Sequence, residues 1–207
     1  MAFSSLRALI GGGGGGGGGN PYAIFGFGDS GSHSSLTNLV SNTGVVATDT
    51  TGVGTARSYV AAAGYGTDKA IFGYGATPSN TSITNLVSST GVVATDTTGV
   101  GTARAYLAAA GYGTDKAIFG YGNTGSHSSL TNLVSNTGVV ATDTTGVGTA
   151  RTSLAAAGYG SDKAIFGYGT TGSLVSLTNL VRNTGVVATD TTGVGTARQY
   201  LGAASYG

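Results

Sequence analysis

Residues 69–74, KAIFGY, place Ala70, Phe72 and Tyr74 on one side of an extended chain and Ile71 and Gly73 on the other. That is the two-residue period of a β-strand. Two more β-rich runs follow at 84–88 and 92–95. Ser89-Thr90-Gly91 joins them as a short hairpin signal, and Asn42-Thr43-Gly44 gives the same signal earlier in the chain. A fourth run at 105–110 leads through Gly111-Tyr112-Gly113-Thr114-Asp115 into the next KAIFGYG, again with hairpin chemistry. No segment carries a 3.6-residue stripe, so strands are predicted throughout, with at most a helical turn in residues 3–10.

The pattern recurs. The segment TNLVSNTGVVATDTTGVGTAR at 37–57 returns almost unchanged at offsets of 47 residues, and units 20–66, 67–113, 114–160 and 161–207 tile the chain after residue 19. Four short strands per unit match the size of a propeller blade of roughly 40 to 50 residues. VVAT reads as apolar on both sides, which predicts a strand covered on both faces. The small residues of AYLAAAGYG suit a crowded inner strand.

The stretch GTARAYLAAAGYGTDKAIFGYG at 101–122, preceded by TNLVSSTGVVATDT, resembles the kelch repeat. An arginine precedes a small-residue strand, and a short turn then leads to an aromatic-glycine strand and a hairpin. The resemblance covers residues 20–207 and implies an all-β fold, a four-bladed β-propeller with an N-terminal glycine-rich extension. Kelch propellers commonly have more blades than four, so the resemblance implies tight closure or joining with other chains. Residue 20 stands just before a second-type strand at 22–27, and residues 200–206 are a first-type strand. The expectation is that these two pair as a split closing blade. The alternative is that the two edges pair between molecules as an oligomeric ring or filament.

Composition narrows the function. Charged residues are 8% of the chain, net charge is +1, and Glu, Trp and Cys are absent. No basic footprint for nucleic acid exists, and neither disulfides nor thiolate metal sites can form. Residues 1–19 stand outside the tiling. Their MAFSSLRALI segment is a poor signal peptide and too short for a transmembrane span, and Gly11 to Gly19 follow it without interruption. Two readings stay open: a flexible tether, or an attachment element in which Phe3, Leu6, Leu9 and Ile10 supply an apolar anchor.

Each ATDTTG aspartate is followed eight residues later by an arginine, giving Asp49 and Arg57, Asp96 and Arg104, Asp143 and Arg151, Asp190 and Arg198. The expected role is structural, an Asp-Arg pair or Asx-turn fixing the loop between adjacent blades. A fourfold charge ring lining a pore is the rival. His33 and His127 occupy one loop position, which holds Asn80 and Leu174 in the other units. Neither histidine has a third ligand or a carboxylate constellation in sequence, so no catalytic residue, metal or cofactor is assigned.

Comparing the units with one another shows two variable spots. One is the loop containing His33, Asn80, His127 and Leu174. The other is the pair before the small-residue strand, with Tyr59, Tyr106 and Tyr200 opposite Ser153. Relaxed packing at surface loops accounts for this variation; the alternative is a recognition face on a rigid scaffold, for which His33, Asn80, His127, Leu174, Tyr59, Tyr106 and Tyr200 are the candidate ligand-binding positions.

The expected function is a non-enzymatic structural or adhesive module, on a virion or an extracellular surface, because the composition and the fresh duplications look like phage adhesins and decoration proteins. Its expected partners are subunits of a large assembly, such as virion proteins, or further copies of the chain, with a surface glycan as ligand. A lectin-like or protein-binding propeller acting alone is the alternative. An enzyme similar to the kelch-containing oxidases is disfavoured by the missing cysteines and copper ligands.

Overall fold

The computed structural model describes residues 22–206. The apolar anchor candidates Phe3, Leu6, Leu9 and Ile10 and the glycine tract lie outside the described residues. The described chain is all-β, with no helix. Its strands are β1 (Ala23–Asp29), β2 (His33–Val40), β3 (Ala61–Tyr65), β4 (Lys69–Gly73), β5 (Thr84–Val87), β6 (Ala108–Tyr112), β7 (Lys116–Gly120), β8 (Thr131–Val134), β9 (Ala155–Tyr159), β10 (Lys163–Gly167) and β11 (Thr178–Val181). They form antiparallel sheets β1-β2, β3-β4-β5, β6-β7-β8 and β9-β10-β11.

The VVAT runs add a fourth segment to each three-stranded sheet and a third to β1-β2, held by isolated bridges such as Thr84↔Thr97, Val87↔Val93 and Val40↔Val46. Backbone bonds such as Ala94 N–H to the Leu86 carbonyl at 2.8 Å hold the segment, and the Asn85 side chain donates to the Ala94 carbonyl at 3.1 Å. The expectation of two covered faces fails on this segment: Val93 is buried, but Val92 is 65% exposed.

The middle strand of each interior sheet is covered on both faces, as its unbroken apolar sequence requires. Phe72 of β4 packs toward the preceding sheet, with its ring 5.1 Å from Phe27. Ile71 faces the following sheet, in one cluster with Phe119. Both are fully buried, as are Ile118 and Phe119. A glycine makes room for each phenylalanine: a Cβ on Gly26 would meet the Phe72 ring at 2.9 Å, and one on Gly73 would meet Phe119 at 2.6 Å.

Successive sheets therefore nest by one repeated contact. Their alanine strands β3, β6 and β9 lie side by side, and together with Gly202 and Ala203 they line a cleft of about 110 Å³. The chain end takes the next place in this row. Ser205 donates to the Gly158 carbonyl at 2.7 Å, and residues 201–206 have no strand partner. The expected pairing of this segment with β1 is absent, because the segment stays in register with β9 one repeat behind it.

Candidate functional site

Three buried arginines hold the sheets together. The backbone of Arg57 is pinned to the preceding sheet, where Gly28 donates to its carbonyl at 2.8 Å and its own N–H reaches Ser34 at 3.2 Å. Its guanidinium then lies over the Phe27 ring, 4.4 Å from the centroid. It donates to Asn85 Oδ1 at 2.5 Å and to Asp96 Oδ1 at 3.4 Å. Arg104 repeats this with Tyr74, Asn132 and Asp143, and Arg151 repeats it with Tyr121, Asn179 and Asp190.

Each arginine thus crosses to the aspartate of the next unit, beyond the one eight residues behind it. The sequence placed these residues in a structural role between adjacent units, and the structure gives them that geometry with a different partner. Asn85, Asn132 and Asn179 complete the cluster and escaped the sequence reading. Their signal was a polar residue, a poor strand former, in every TNLV run.

The electrostatics follow from burial. Desolvation pulls the Arg57 guanidinium down to about 10, against the opposing pull of Asp96, so it stays cationic at neutral pH. For Asp96, desolvation is the largest influence and pushes upward. Hydrogen bonds from the Thr55 hydroxyl, Asn85 and the Thr55 N–H, with the Arg57 charge, outweigh it and hold the carboxyl below its ordinary range. The Tyr74 hydroxyl, pushed up to about 12 chiefly by burial, donates to the Val100 carbonyl.

The two variable spots come together on one face. Ser58 and Ala76 exchange backbone hydrogen bonds at 3.1 and 2.9 Å. Ala105 pairs in the same way with Asn123, and Thr152 with Thr170. The pair before each alanine strand is thereby tied to the loop that carries Asn80, His127 or Leu174. Asn80 reaches across to the next unit, donating to the Asn123 carbonyl at 2.8 Å.

At the centre of this face the Tyr59 and Tyr106 rings stack with centroids 4.1 Å apart, and Tyr200 meets Tyr106 edge-on at 6.5 Å. All three have left-handed backbones, with φ of 57°, 55° and 56°, as does Ser153 between them. The conformation is held by a backbone chain: Ser153 donates to the Tyr106 carbonyl and Tyr200 to the Ser153 carbonyl. Burial, then the Tyr59 hydroxyl, raises the Tyr106 pKa. His33 and His127 are half-buried at the hairpin ends rather than fully solvated, and Leu174 is half exposed. Among the described residues no three His or Asp side chains come together to hold a metal ion.

No protein-family model and no curated protein matches this chain. The kelch resemblance accordingly rests on its motif.

Proposed function

We propose that the chain is a non-enzymatic structural and adhesive module, a kelch-like array of blades that presents the Tyr59–Tyr106–Tyr200 face to a ligand on a virion or cell surface. The observation that carries this reading is the gathering of both variable spots around stacked tyrosines on a scaffold otherwise repeated nearly residue for residue. Flat rings with hydroxyl donors at a half-exposed rim suit the apolar face and hydroxyls of a sugar.

A glycan array probed with the protein tests this. Binding is expected for the native chain and lost when Tyr59, Tyr106 and Tyr200 are all replaced by Ala, with thermal unfolding still cooperative. Equal binding by the triple variant would move recognition to another face.

A further inference from the structure

Among the described residues, the first and last sheets carry complementary halves of the contact that joins the sheets between them. The outer surface of the first sheet carries Phe25, Asn38 and Asp49, the repeat equivalents of Phe72, Asn85 and Asp96. Phe25 is 36% exposed, whereas Phe72 is fully buried. Asp49 accepts a hydrogen bond from Asn38 at 2.8 Å and has no arginine among the described residues.

The last sheet carries the matching half. Arg198 lies over the Tyr168 ring at 4.2 Å, the position that Arg57 takes over Phe27. It is exposed, and it has no carboxylate partner among the described residues. Gly167, the equivalent of Gly73, faces no phenylalanine.

A knob and a hole complete the match. In the interior, Tyr65 and Leu86 press on Gly138, and Tyr112 and Leu133 press on Gly185. One repeat earlier, the atoms nearest to Gly91 are all of Leu39, with no hydroxyl in the place that the Tyr65 hydroxyl takes at Gly138, and the position equivalent to Tyr65 is Gly18. An apolar groove of about 550 Å³ opens there, lined by Tyr22, Leu39, Val45 and Gly91 among others. The next tyrosine in the series, Tyr206, is 100% exposed at the other end.

We propose that the last sheet of one copy docks on the first sheet of a second copy and repeats the internal contact. Residues 202–206 then add to the edge of β1 that has no partner among the described residues, in the register that Ala61–Tyr65 takes on β4, and Tyr206 enters the groove beside Leu39. Arg198 meets Asp49 and Asn38 of the second copy, and Phe25 covers Gly167. Terminal repeats of an array ordinarily carry polar caps for solubility. Among the described residues the first and last sheets both keep interior-type residues, which is what a head-to-tail interface needs. This deepens the structural reading above by naming the partner, and it stands apart from ligand binding at the tyrosine face.

Two end-blocked variants test it. Phe25→Asp with Asp49→Lys blocks the first sheet, and Tyr206→Asp with Arg198→Glu blocks the last. All four side chains are exposed, so each variant should fold. In native mass spectrometry the unaltered chain is expected to form multimers, each variant alone a monomer, and an equimolar mixture a 1:1 dimer. A monomeric unaltered chain, a mixture that stays monomeric, or multimers from either variant alone would overturn the proposal. A monomeric chain that still binds glycan would leave the adhesive reading intact.

Discussion

The Arg57 guanidinium pairs with Asp96, 39 residues ahead, and not with Asp49, which stands eight residues behind it. Every such pair therefore joins two sheets, with the arginine fully buried and the aspartate side chain about a quarter exposed, at 28%, 24% and 25%. Removing the arginine leaves a partly exposed aspartate that keeps its threonine and asparagine bonds, and it opens a gap under the ring it covered, at a cost of about 1–3 kcal/mol. Arg104→Met, in the middle of the array, is expected to lose stability of that order in urea unfolding. Arg198→Met, at the exposed end, should change the stability of the monomer by no more than about 0.5 kcal/mol.

The carboxylates set a pH dependence. Asp96, Asp143 and Asp190 are all held below their ordinary range, where hydrogen bonds from threonine, asparagine and arginine together overcome desolvation. A depressed folded-state pKa means that the unfolded chain binds protons first, near pH 3.9 on the usual scale of about 3.9 for Asp. The stabilisation is complete above that value and is lost as pH falls through the lower folded-state values. Urea midpoints should hold steady from neutral pH down to the carboxylate range and then drop. In Asp143→Asn the drop should be shallower.

Glycine spacing distinguishes interior from end. A methyl on Gly73 would press on the Phe119 ring, whereas one on Gly167 meets only the Thr178 methyl at 3.4 Å. Forcing extra volume into a packed contact costs about 1–3 kcal/mol. Gly73→Ala should lower the melting temperature clearly, and Gly167→Ala should leave the isolated monomer almost unchanged. Equal effects at both positions would mean that the last sheet is covered within the chain.

The strands were legible because Ala70, Phe72 and Tyr74 alternate with Ile71 and Gly73 in a run too short for a helix and bounded by turn residues. β4 and its repeats fall where the alternation placed them. The inner strand runs to Tyr112 rather than stopping at 110, because Gly111 and Tyr112 still pair with Ala117 and Lys116 before the turn. The arginine partners were not legible: with near-identical units, each Arg stands at a fixed spacing from several aspartates, and only packing chooses among them. Unit-to-unit differences exposed Tyr59, Tyr106 and Asn80 as variable, but nothing local told that Ser58 bonds to Ala76 and brings the two spots onto one face. Val92 read as buried because its apolar character says nothing about which side a neighbouring sheet covers.

The tyrosine face has its own stability signature. Tyr59 and Tyr200 are 38% and 54% exposed, so truncating either side chain should cost far less than Phe119→Ala, for which about 3–5 kcal/mol is expected in a filled core. Chemical denaturation of the Tyr200→Ala and Phe119→Ala chains side by side checks this ordering. A comparable loss in both would make Tyr200 a packing residue rather than part of a ligand surface.

The repeated nesting of sheet on sheet, continued from one copy to the next, is tested most directly by a disulfide between copies. The chain has no cysteine, so Ala203→Cys and Phe25→Cys can be made separately, one of them isotopically labelled. In the interior, their equivalents Ala62 and Phe72 are paired neighbours on β3 and β4, a separation that suits a disulfide. Mixed under mild oxidation and weighed by mass spectrometry, the two variants should give mainly the mixed pair, one labelled and one unlabelled chain. A product of monomers, or of like chains linked to like as often as to unlike, would contradict the account.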